Sequence, residues 1–207
     1  MREPSDVCDE RAENLRLELL AMAATDQRVR AELVEEGTLF QGYHPRMAAV
    51  HHENARRLSA IIDEVGWPVP ALVGQDACDA AWLVLQHSIG DPAVMRRGLM
   101  LFQKEQGHGV SRAQVAMLED RVRTMSGLSQ RYGTQFDWNE EGLLVPREIE
   151  DPAGVEERRK AVGLPPLVEK MREMSELSAR SDVRPPDGFA QRRREIDRWE
   201  ISVGWHE

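Results

Sequence analysis

The sequence predicts a mainly α-helical fold, a compact multi-helix, bundle-like domain carrying one short β-hairpin. Three observations predict it. Apolar residues recur at spacings of three, four and seven along most of the 207 residues. Prolines and glycines fall where such stretches begin and end. Only the segment from Thr134 to about Val145 alternates with the period of two that a strand requires. A composition of 41% hydrophobic and 30% charged residues belongs to an ordinary globular protein, long enough for one real core.

The elements follow in order. A flexible polar lead occupies 1–12. From Glu13 to about Glu36, Leu15, Leu19, Met22, Val29 and Leu33 share one helical stripe, and Asp26 fills the missing position on it. An isolated buried carboxylate is expensive, so Asp26 needs a partner or a cavity, and Arg30 four residues on is one candidate. After a linker from Gly37 to Tyr43, Pro45 opens a second helix with Met47, Val50, Asn54, Leu58, Ile61 and Val65 along one side, ended by Gly66. A third, alanine-rich helix runs from Gln75 to about Ser88 and carries His87 at its end. Asp91-Pro92 opens a helix to about Gln106, with Met95, Leu99 and Phe102 inward. Gly107-His108-Gly109 breaks the chain, with His108 in solvent, and Ser111-x-x-Gln114 reads as a capping box. The helix after it carries Val115, Leu118, Val122 and Met125. Phe136–Trp138 and Gly142–Val145 pair as the hairpin. A charged helix follows Asp151-Pro152 and stops at Gly163; another follows Pro165-Pro166, with Met171 and Met174 as core filler. A single helical domain thus spans 13–180, and 181–207 form a linker and C-terminal tail with Arg192-Arg193-Arg194, Trp199 and Trp205.

Charge and cysteine usage narrow the function. A net charge of −9 argues against nucleic acid or an anionic membrane as the main partner. No apolar run approaches the roughly 20 residues that span a bilayer, and the acidic start lacks a secretory segment. Two cysteines, Cys8 and Cys78, make neither a disulfide scaffold nor a metal motif. These features predict a cytoplasmic protein.

Candidate site residues stand out where polar side chains interrupt an apolar stripe or crowd a loop. Gln130-Arg131-Tyr132-Gly133-Thr134-Gln135 packs hydrogen-bonding groups around one glycine, suited to reading a polar ligand, without the context or lysine of a phosphate loop. His87 at a helix C-terminus is the best acid or base, Asp26 either orients that imidazole or holds a substrate amine, and Tyr132 is a third catalytic candidate. Asn54, Arg121, Gln130, Thr134, Gln135 and Arg158 are ligand-binding candidates, the arginines for a carboxylate or phosphate. His51 and His52 are adjacent, so one helix cannot aim both at one ion, and His51 reads as a core-edge residue. His87 and Asp26 are types that bind zinc or manganese, but no local spacing assembles a shell. No cofactor is predicted, and a divalent metal is left open.

Several of these pieces recur together in a known family. Asp26-Gln27-Arg28-Val29-Arg30, Gly66-Trp67-Pro68, Trp82-x-x-x-Gln86-His87, Asp120-Arg121, Gln130-x-Tyr132-Gly133-Thr134-Gln135 and Arg158-Arg159-x-x-x-Gly163-Leu164 resemble a bacterial family known only as a domain of unknown function. The resemblance covers about 13–172 and departs at His51, where an acidic residue is expected. It implies a common helical domain and supplies no activity. Two classes of function remain. One is a metal-independent hydrolase or group-transfer enzyme for a small polar metabolite, with His87 as acid/base. The other is a non-catalytic polar-ligand or protein-interaction module, in which the C-terminal tail serves a partner or a second copy.

Overall fold

The structure is a computed structural model that describes residues 4–39, 42–104, 109–179 and 188–206. The expectations about His108, the last turn of the helix before it and the linker at 181–187 lie outside the described residues. The fold is mainly helical with one two-stranded antiparallel hairpin, as the periodicities require. The chain divides into two compact units, Met1–Val110 and Ser111–Glu207.

The first unit holds α1 (Pro4–Glu35), α2 (Pro45–Val65), the single turn α3 (Pro70–Val73), α4 (Gln75–His87) and α5 (Pro92–Lys104). Helix α1 begins nine residues ahead of the Glu13 expected from its stripe, because an apolar stripe reports burial and does not mark where a helix starts. Leu19, Val29 and Leu33 are buried on its inner face, against α2 and α4. Helix α2 opens on Pro45, where the missing N–H is no loss, and ends at Gly66 with φ of 75°. Ala77, Ala80, Ala81 and Val84 make α4 the close-packed middle of the unit, in contact with α1, α2, α3 and α5. Small side chains allow that approach: Gly98 of α5 lies so near α4 that a Cβ there would sit 2.5 Å from Leu85 Cδ2. Met95 and Phe102 are buried on α5, and Phe102 meets Trp67 edge to face at 4.7 Å.

The second unit holds α6 (Arg112–Met125), β1 (Phe136–Trp138), β2 (Leu144–Pro146), α7 (Val155–Val162), α8 (Leu167–Ser178) and α9 (Phe189–Ser202). Ser111 and Gln114 form the expected capping box at the start of α6. In the hairpin Phe136 faces Pro146, Asp137 faces Val145 and Trp138 faces Leu144. Its turn is closed by the Asn139 carboxamide accepting from Leu143 N. Gly163 ends α7 in the left-handed conformation. Met171 is 42% exposed, so it is not the core filler that its spacing suggested. The tail proves to be a helix tied to its own unit: Trp205 is buried and Arg192 pairs with Asp137 at 2.9 Å.

Candidate functional site

Three helices of the first unit each bring one polar side chain to the same point. Asp26 comes from the C-terminal third of α1 and is fully buried, His51 from the second turn of α2, and His87 from the last residue of α4. His87 Nδ1 lies 2.9 Å from both Asp26 carboxylate oxygens. His51 Nε2 lies 3.1 Å from Asp26 Oδ2, an ion-pair contact without a well-aligned hydrogen bond. The two imidazole centroids are 5.3 Å apart. One donor atom from each of the three residues lies within 4.8 Å of the others, so this is a buried His-His-Asp cluster able to chelate a divalent metal.

Tyr43, just ahead of α2, completes the surroundings. Its hydroxyl is 2.8 Å from His51 Nδ1, and its ring packs against the small core of Val29, Leu33 and Met47. Burial raises its phenol above the usual value, and the carboxylates of Asp91 and Asp26 push it further. Asp91 itself pairs with His52 at 3.1 Å on the exposed side. Burial alone would raise the Asp26 carboxyl; the contacts with His51 and His87 outweigh it and hold the group well below the ordinary range. Asp26 is therefore a carboxylate whose charge the two imidazoles stabilise. Its other suggested partner, Arg30, is exposed. Asn54, one turn past His51, donates its amide to Met22 O at 3.3 Å and braces α2 on α1 one turn before Asp26.

The remaining candidates belong to the second unit, where the polar groups of the loop 130–135 are engaged within that unit, many of them by α6 and α7. Asp120 of α6 is fully buried and accepts from the backbone N–H groups of Arg131, Tyr132 and Thr134 and from Thr134 Oγ1, at 2.7 to 3.2 Å. The fully buried Gln130 side chain donates to Gln135 O and Arg147 O and accepts from Gln135 N, standing in for a strand neighbour. Arg121 Nε donates to Gln135 Oε1, and Gln135 Nε2 to Thr134 Oγ1. The carbonyls are taken as well. Arg158 Nε donates to Arg131 O, and Arg159 Nη1 to Tyr132 O and Gly133 O. Arg158 also pairs with Asp151, while Arg159, 2% exposed, is the arginine that turns inward. It turns to carbonyls, not to a carboxylate. Gly133 has φ of 68°, and a Cβ there would lie 2.9 Å from Leu167 Cδ1. Tyr132 keeps a half-buried ring 5.8 Å below the Arg131 guanidinium, and burial raises its phenol.

Comparison with known proteins adds one result. A model described as a family of unknown function, DUF6624, matches residues 13–179. The chain belongs to that family. No curated protein and no solved structure matches it significantly.

Within this DUF6624 chain the sequence pointed to Asp26, Asn54 and His87, all in the first unit. Tyr132, Arg121, Gln130, Thr134, Gln135 and Arg158 lie in the second. Sequence reasoning missed Tyr43 and set His51 aside. The adjacency rule against aiming His51 and His52 at one ion holds: His52 turns to Asp91 while His51 turns to Asp26. That rule tests one helix alone, and here the shell is shared among three. Asp26 carried the usable signal, since a carboxylate on an apolar stripe calls for a partner. Chemically, the first unit offers a buried carboxylate, two imidazoles and a phenol. Of the two histidines, His87 is the more open, its side chain 23% exposed against 10% for His51. A site with these groups can move a proton or hold a cation.

Proposed function

We propose that the first unit of this protein carries the active site of a hydrolase or group-transfer enzyme acting on a small polar metabolite, with the Asp26–His51–His87 cluster as its working centre. The observation that carries this reading is the pairing of His87 Nδ1 with both oxygens of fully buried Asp26 at 2.9 Å. Such a pairing fixes the imidazole's plane and its tautomer. Nδ1 keeps its proton on the carboxylate, and Nε2 carries the lone pair. In that state His87 accepts a proton from a water or a substrate hydroxyl or amine, and Asp26 stabilises the imidazolium that forms. Returning the proton to the leaving group completes the cycle.

Positioned acid/base catalysis contributes about 10²–10⁴-fold in rate. The test screens esters, amides, phosphoesters and activated acyl donors against the full-length protein, reading product by mass spectrometry. His87→Gln is expected to lower turnover by about that factor while keeping the far-ultraviolet spectrum and melting temperature of the wild type. Equal turnover in the variant removes His87 from the reaction. A variant that melts early and binds nothing assigns the cluster to structure instead.

A further inference from the structure

Two features of the cluster are left over once His87 is paired with Asp26. The first is His51 Nε2: it is buried and lies 3.1 Å from Asp26 Oδ2, in ion-pair range but without a well-aligned hydrogen bond. Buried polar atoms are ordinarily satisfied, and one left over beside a carboxylate and a second imidazole calls for a partner that is not a side chain. The second is Tyr43, whose hydroxyl meets the opposite nitrogen of the same ring, His51 Nδ1, at 2.8 Å. With a cation at Nε2, Nδ1–H would donate to the phenol oxygen and the Nε2 lone pair would go to the ion; without one, an Nε2 proton faces the Asp26 carboxylate. The first of these is the tautomer of a ligating histidine, held from behind by an outer partner.

We propose that Asp26, His51 and His87 form a binding site for one divalent transition-metal cation, with Tyr43 as the outer residue that holds His51 in its ligating tautomer. The proposal deepens the enzymatic reading by naming the cofactor of its centre, and it rests on that reading for the reaction served. The distances suit it. Two ligands bound to a common ion at about 2.1 Å in tetrahedral geometry lie about 3.4 Å apart. The 2.9 and 3.1 Å separations from Asp26 would open by a few tenths of an ångström, and the two imidazole nitrogens, which lie within 4.8 Å of each other, would settle at a similar spacing. The donor set selects the ion class. Two nitrogens and one carboxylate oxygen favour zinc, manganese or iron(II), whereas calcium and magnesium prefer shells of oxygen. Three protein ligands leave at least one position for water or substrate, the pattern of catalytic and not of closed structural sites. Bound there, the cation would polarise a substrate oxygen or lower the pKa of a bound water; His87 would then ligate through Nδ1 with its proton on Nε2, and activating the water would pass from the imidazole to the cation.

The test is a calorimetric titration of full-length, chelator-stripped protein with zinc chloride, manganese chloride and magnesium chloride, with cobalt(II) absorption as a second readout. The expected result is about one equivalent of zinc and no measurable magnesium. Cobalt(II) should give the intense visible bands of a four- or five-coordinate site. His51→Gln and Asp26→Asn should weaken zinc by about 100-fold or more, and Tyr43→Phe by about 10-fold. Less than half an equivalent of zinc in the wild type, or unchanged affinity in His51→Gln, overturns the site. Should Asp26→Asn fail to fold, the cobalt spectrum and the Tyr43→Phe affinity still decide. Failure here and failure of the enzymatic reading separate cleanly. Turnover that persists in stripped protein without zinc binding removes the metal and leaves His87 as acid/base. Tight zinc with no turnover on any substrate keeps the site and removes the reaction.

Discussion

Asp120 and Asp26 are both fully buried carboxylates, and their surroundings give them opposite characters. Asp120 is closed in by donors that belong to the backbone of one loop, so its charge is spent on holding 130–135 in shape. Asp26 is met by two imidazoles, groups that can lose a proton or take an ion. Replacing Asp120 with Asn would turn an amide N–H towards N–H donors. Full-length Asp120→Asn is expected to lose about 3 kcal/mol in urea denaturation, a large fraction of a domain's stability. A loss under about 1 kcal/mol would mean the loop does not depend on it. Asp151 shows a milder case on the surface. The hydrogen bond from Arg158 comes first among the causes that hold its carboxyl below the ordinary value. Its folded value is depressed, so its contribution is present above the ordinary carboxylate range and is lost as pH falls through the folded value. Carboxyl NMR titration should place Asp151 below a free aspartate, and Arg158→Gln should move it up. An unmoved midpoint would show that Arg158 does not set it.

At the scale of the element, the close approach of α4 and α5 sets two effects against each other. Gly98→Ala gains about 1 kcal/mol of helix propensity. It also drives a Cβ to 2.5 Å from Leu85 Cδ2, and Leu85 is fully buried with nowhere to retreat. Overpacking of that kind costs about 1–3 kcal/mol, so the net change should be destabilising. Thermal melts of Gly98→Ala, Leu85→Ala and the double variant check it. The double variant should be more stable than the sum of the two single losses, because each change makes room for the other. Strict additivity would show that the two helices do not meet there.

Across the whole chain, the legible parts were those whose cause is local. The start of α2 at Pro45, the end of α7 at Gly163 and the Ser111–Gln114 box each follow from a few neighbouring residues. The hairpin was legible for the same reason. The loop 130–135 was recognised as special, but its purpose was hidden, because the groups that satisfy it sit on α6 and α7 and no spacing connects them. His51 was hidden for a related reason: its neighbour His52 invited a test on one helix, and the answer lay on three. The α9 helix was obscured by its charges, since a run of arginines carries no apolar stripe. Among the described residues no helix is long and apolar enough to cross a membrane.

The distribution of the cluster over α1, α2 and α4 has a consequence beyond chemistry. Asp26, His51 and His87 are separated by 25 and 36 residues along the chain, so once it unfolds the three side chains drift far apart and no high-affinity site survives. Whatever occupies the cluster binds only the folded first unit, and by mass action stabilises it by about 2.7 kcal/mol at a concentration 100 times its dissociation constant. An ion bound there as proposed would be a staple as well as a reagent, and stripping it with a chelator would lower the melting temperature.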